Sequence, residues 1–151
     1  MSTNDKLPRG YRNNNPLNIR YSWANPWKGK VLNNTDGLFE QFTNMAYGYR
    51  AALYLIRKYI RNGYNTVEKI ISRWAPESDG NYTQSYIDHV CEFAGLTPNT
   101  QVGVNDKDTI LAMARAMSII ENGTTDKDGK NLQREYNLPN MDVINDGWNL
   151  L

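Results

Sequence analysis

The sequence predicts a mainly α-helical chain with one small β-hairpin, and three observations carry that expectation. Apolar residues recur at helical spacing in four segments. Those segments are bounded by Asn, Asp or Thr starts and by Gly or Pro stops. Between them and the N-terminus, WKGKVL and LFEQF flank NNTDG, two short apolar-containing runs joined by a turn sequence.

Taken in order, residues 1 to 12 read as a flexible lead, and residues 13 to 151 as a single domain. Asn13 to Tyr21 is turn-rich, with Pro16 fixing one backbone dihedral. The hairpin follows. A long helix begins near Thr43 with apolar positions at Met45, Tyr49, Leu53, Ile56 and Ile60, and stops at Asn62-Gly63. Asn65 or Thr66 caps a second helix, TVEKIISRW, which Pro76 ends. TQSYIDHVCEFAG is a third, with Tyr86, Val90 and Phe93 on one side and Gly95 as its stop. Asp106 opens a fourth, KDTILAMARAMSIIENG, and MDVINDGWNLL reads as a short last helix. The sequence carries no internal repeat.

Composition narrows the function classes. A chain of 151 residues with 40% hydrophobic and 22% charged residues has the balance of an ordinary globular domain. A formal net charge of +1 gives no field that points to nucleic acid or to a membrane surface. A single cysteine, Cys91, excludes an internal disulfide framework, and a buried, inert thiol is the expectation for it. No apolar run is long enough to span a bilayer, and MSTNDKLPRG lacks the apolar centre of a secretion signal. The expectation is a protein made in the cytoplasm without a signal peptide. Ten Tyr and four Trp are an aromatic excess suited to stacking on sugars or peptides.

The fourth helix holds the sharpest candidate. Its apolar stripe runs Ile110, Ala114, Met117, and the next member at that spacing is Glu121. A carboxylate continuing a buried stripe is partly desolvated, and desolvation raises its pKa toward the range of a general acid. The competing reading is a solvent-facing Glu at a frayed helix end, where the helix dipole disfavours negative charge. Asp36 in the hairpin turn and Glu40 on its second strand are candidate second carboxylates. Their separation from Glu121 would decide between a nucleophile and a water-activating base, although a turn Asp and an exposed strand Glu are the plainer readings. His89 is the only histidine and has no ligand pattern around it, so neither a metal site nor a cofactor is expected. The serines lack a nucleophile elbow, and no glycine loop cradles phosphate. Tyr86 could point its hydroxyl at a cleft or pack between helices; Trp23 and Trp27 could stack on sugar or staple the hairpin.

NNNPLNIRY, Trp27, Gly29, GLFEQF, GYRAALYLIRKYIRNGYNTVEKIISRWAP and NYTQSYIDHV, in that order, resemble a group of small phage and prophage proteins described as virion structural or lysozyme-like. The resemblance covers roughly residues 10 to 123. A more distant similarity is to the flagellar and autolysin-type glucosaminidases of the lysozyme superfamily. In these a helix ending in a catalytic Glu precedes an Asn-Asn turn, a Trp-Asn-Gly hairpin, a long helix and a Tyr-bearing helix. Here no such helix precedes the Asn turn, and AMARAMSIIENG at the other end looks like the missing one, which implies a circularly permuted arrangement.

The resemblance implies a lysozyme-like α+β domain with a small β-hairpin lobe and about four to five helices. It also implies cleavage of the peptidoglycan glycan strand by a muramidase, glucosaminidase or lytic transglycosylase reaction, with bacterial peptidoglycan and other virion proteins as partners. Glu121 would be the general acid. Glu40 would be the second acid, although the family's hairpin acid has no counterpart in this sequence. Asn18, Arg20 and Tyr86 would position substrate, and Tyr21 and Trp27 would stack on it. Such a protein would reach the cell wall on a virion or through a lysis channel. The other expectation is a catalytically silent structural or wall-binding module of a phage particle, and a third is an adaptor that binds a host protein.

Overall fold

A computed structural model describes residues 3–151. Seven α-helices follow one another: α1 (Arg9–Arg12), α2 (Met45–Arg61), α3 (Val67–Trp74), α4 (Thr83–Ala94), α5 (Lys107–Asn122), α6 (Leu132–Tyr136) and α7 (Met141–Asn149). Single 3-10 turns cover Thr3–Lys6 and Glu77–Asp79.

The long helices form where the apolar spacing and the caps agree. The Asn44 side chain accepts from Tyr47 N to start α2, and Thr66 accepts from Lys69 N to start α3. Gly95 ends α4 in the left-handed conformation that glycine adopts without a Cβ penalty. The packing centre is α2, which lies against α7, α5 and α3, while α4 bridges α3 and α5. Leu53, Ile56, Ile70, Ile71, Ile110 and Met117 are buried where these helices meet. Each such side chain contributes about 1.5–3 kcal/mol by leaving water.

The predicted β-hairpin does not form, and with it falls the lysozyme-like α+β class with a hairpin lobe. Among the described residues there is no strand or sheet, only isolated bridges such as Arg20–Phe39 and Lys30–Phe42. The physical reason is that side-chain amides take the backbone partners a ladder would use. Asn34 Nδ2 donates to Phe39 O and its Oδ1 accepts from Gly37 N. Gln41 Oε1 accepts from Thr35 N, and Asp36 Oδ1 accepts from Leu38 N and Phe39 N. Residues 28–43 are therefore a loop knitted by Asn, Asp and Gln, laid along the Asn turn.

The N-terminal lead also differs from its expectation. The 3-10 turn Thr3–Lys6 and helix α1 order it, and Leu7 and Tyr11 are buried against Leu132 of α6. Met1 and Ser2 of that lead lie outside the described residues. The lead carries too few apolar residues to show a period, so its burial is decided by α6, far along the chain.

Helix α2 approaches the Asn turn so closely that no side chain fits between them. A Cβ on Gly48 would overlap Asn14 O and lie 2.8 Å from Pro16 Cδ. Gly48→Ala must push the turn off the helix, and overpacking of this kind costs about 3 kcal/mol. Urea unfolding should show that loss as a lower midpoint at an unchanged slope.

Candidate functional site

The site begins with the asparagines. Asn14 and Asn18 both adopt the left-handed conformation, φ 52° and 53°, which few residues other than glycine tolerate. Asn15 is fully buried and acts as a short stretch of strand: Oδ1 accepts from Ile19 N at 2.9 Å, while Nδ2 donates to Ile19 O and Glu40 O. Asn13 donates its Nδ2 to Asp36 and Asn14 donates to Phe42 O. The Asn14 and Asn15 amides take backbone partners, while Asn13 ties the turn to the side chains of Asp36 and Gln41.

This turn meets the end of α5. Asn122 Nδ2 donates to Pro16 O at 2.8 Å and to Ser118 O. Asn18 Nδ2 donates to Glu121 Oε1 at 3.2 Å, and Tyr86 of α4 donates its hydroxyl to Glu121 Oε2 at 3.0 Å. The apolar stripe leading to Glu121 is buried as its spacing predicts, with Ile110, Ala114 and Met117 all inaccessible. Burial raises the pKa of Glu121, and the hydrogen bonds from Asn18, Tyr86 and Trp74 offset that only in part. Burial, together with the neighbouring Glu121 charge, holds the Tyr86 phenol protonated and available as a donor.

Glu121 opens on a groove of about 450 Å³ whose walls include Asn18, Arg20, Tyr59, Trp74 and Asp79. Tyr59, Trp74 and Asp79 carry no sequence signal for this role. Trp74 ends the α3 apolar face, and Asp79 ends a single 3-10 turn too short to show a period. Two buried acceptors, Asn18 Oδ1 and Asn122 Oδ1, have no partner. Both converge on Gly10, where a Cβ would strike Asn122 Oδ1 and lie 3.0 Å from Asn18 Oδ1.

Of the other expected residues, Arg20 and Tyr86 lie as described, on the groove and against Glu121. Tyr21 lies away from the groove lining, under Lys30, whose ammonium is 4.7 Å from its ring centroid. Trp27 packs edge-on against Tyr54 and lines a neighbouring groove. Trp23 is 86% exposed and staples nothing.

Glu40 is not brought to the groove. Its carboxylate is completely buried, 3.1 Å from Lys30 Nζ, and it also accepts from Ser22 N. The alternation that made it an exposed strand residue fails because no strand forms. Asp36 is likewise structural, held by two bonds from Arg9 at 2.8 and 2.7 Å, and the Arg9 guanidinium keeps its carboxyl well below the usual carboxylate range. Burial raises the Cys91 thiol, and His89 is exposed on α4. Among the described residues no cluster of three or more His, Cys, Asp or Glu could hold a metal ion.

The fold and site define an all-helical domain that holds one protected carboxyl at the wall of an open groove. No family profile matches the chain. Over 123 residues it is 39% identical to Protein P5 of Pseudoalteromonas phage PM2, an alignment covering 80% of this chain and 74% of that protein. The chain belongs to the family of that phage protein. No described helix is long and apolar enough to cross a membrane.

Two outcomes follow from this geometry. A carboxyl whose folded pKa is raised binds more protons folded than unfolded between the two values, so it lowers stability as pH climbs through that window. Glu121→Gln should therefore melt higher than the parent at pH 7, and the gap should close below the ordinary Glu range, near 4.5. Lys30→Met strands the buried Glu40 charge and should cost about 3–5 kcal/mol in denaturant unfolding at pH 7.

Proposed function

We propose that this protein cleaves the glycan strand of bacterial peptidoglycan, with Glu121 as general acid. The observation that carries the reading is a single half-buried carboxyl, biased toward its protonated form, on the wall of an open groove of about 450 Å³. Burial supplies the proton affinity, and the Asn18 and Tyr86 contacts fix the direction in which the proton is offered.

In the acid form the carboxyl hydroxyl needs an acceptor. That acceptor is the bridging glycosidic oxygen, while Asn18 Nδ2 and the Tyr86 hydroxyl remain donors to the carboxyl. Glu121 then transfers its proton to the bridging glycosidic oxygen as the bond to the anomeric carbon breaks. The leaving sugar departs as an alcohol, and the positive charge spreads over the ring oxygen and anomeric carbon. Water, or an internal hydroxyl of the muramyl sugar, closes that centre and returns a proton to the Glu121 carboxylate. In this reading the Tyr86 hydroxyl and the Asn18 amide stabilise the carboxylate left behind, and Arg20 and Trp74 line the sugar path. Membership in a phage protein family supports delivery to the wall on a virion or through a lysis channel.

A second reading, a phage structural or wall-binding module without chemistry, draws support from Trp23 and Tyr82. These rings are 86% and 87% exposed and suit stacking on sugar faces. Clearing of a peptidoglycan suspension separates the two readings. The parent protein should clear it, with a basic limb in the pH profile above the ordinary carboxylate range, and Glu121→Gln should be slower by on the order of 10²–10⁴-fold while still pelleting with walls. Equal clearing by both proteins would sink the catalytic assignment, and pelleting without any clearing would favour the binding module.

A further inference from the structure

A second groove, of about 300 Å³, lies between the 25–27 loop and α2, and Leu55 belongs to its wall and to that of the Glu121 groove. The two depressions therefore adjoin at Leu55. Its walls are unlike those around Glu121. Arg50, Tyr54 and Lys58 stand at successive four-residue steps on the same face of α2, and Trp27 faces them with its ring edge-on to Tyr54, 5.6 Å between centroids.

Helix α2 carries Arg50, Arg57, Lys58 and Arg61 with no acidic residue in its seventeen positions. Arg57 is engaged elsewhere, donating to Val104 O and Asn105 and stacking on Trp148. Arg50 gives its Nε to Leu150 O, which holds the side chain in place and leaves its terminal nitrogens without a hydrogen-bond partner among the described residues. Lys58 is exposed and makes no ion pair among the described residues. Two cations with no acidic residue in the same wall, set around an aromatic pair, suit a carboxylate carried on a small apolar skeleton.

We propose that this groove is a subsite for a carboxylate-bearing substituent of the glycan, an acidic peptide branching from a sugar held in the Glu121 groove. The inference rests on the glycan reading of that groove and deepens it. Lys58 and Arg50 hold the carboxylate, Tyr54 and Trp27 pack against the peptide's methyl groups, and Leu55 is the ridge over which the branch passes. The protein therefore selects glycan that still carries its peptides.

The test compares intact peptidoglycan with the same material stripped of its peptides by an amidase, and reads the ratio of kcat/KM on the two. The parent should favour the peptide-bearing material. Lys58→Gln should cut that ratio about fivefold and Lys58→Glu more, with the effect fading in salt. A parent ratio of one, or variants that leave it unchanged, overturns the subsite while leaving glycan cleavage standing. If neither material is cut, the glycan reading fails by itself, and the groove is judged on a free acidic tetrapeptide. Salt-sensitive NMR shifts at the Trp27 indole, weakened by Lys58→Glu, sustain the carboxylate site, and their absence overturns it.

Discussion

The buried amide of Asn15 is the constraint on which the site depends. It bonds both backbone groups of Ile19 and the carbonyl of Glu40, closing a loop that has no ladder of its own. With that loop closed, residue 18 comes round in the left-handed conformation and turns its side chain toward α5. An apolar side chain at position 15 would leave the Ile19 N–H and the Glu40 carbonyl unpaired, each a cost of about 1–3 kcal/mol, while Ile19 O keeps the Glu40 N–H. Gly48 lets α2 press against the outside of the same turn, and Asn122 ties α5 to its inside. The turn is thus gripped from both sides.

A rigid frame is what lets a destabilising group stay in place. Glu121 sits where burial disfavours its charge, with no cation among the described residues paired to it. Nothing in helix propensity asks for an acid there. The contrast with Glu40 is instructive. Both carboxyls are withdrawn from water, yet Glu40 has the Lys30 ammonium as an ion-pair partner, whereas Glu121 has only neutral donors. One arrangement locks a loop; the other leaves a proton to be exchanged.

The long helices are legible in the sequence because periodicity and caps report the same boundaries, and the stripe Ile110, Ala114, Met117 leads to Glu121 by the same logic. The loop at 28–43 is not legible. Its apolar residues fit a hairpin, and only the tertiary partners of Asn34, Asp36 and Gln41 show that side chains have replaced the ladder. Asn13, Asn14 and Asn15 are identical letters with three different duties, and Tyr59, Trp74 and Asp79 reach the groove through folding alone. Glu40 marks the limit of pattern reading, since its burial is set by a lysine ten residues away and by a loop that carries no period.

The bonds from Asn122 to Pro16 and from Asn18 to Glu121 span 106 and 103 residues. Contacts so distant in sequence carry the loop-closure entropy of more than a hundred residues. A chain still being synthesised therefore has its Asn turn but no acid to set against it. The groove exists only when both ends have met, so a truncated or half-folded copy inside a host cell carries no assembled site.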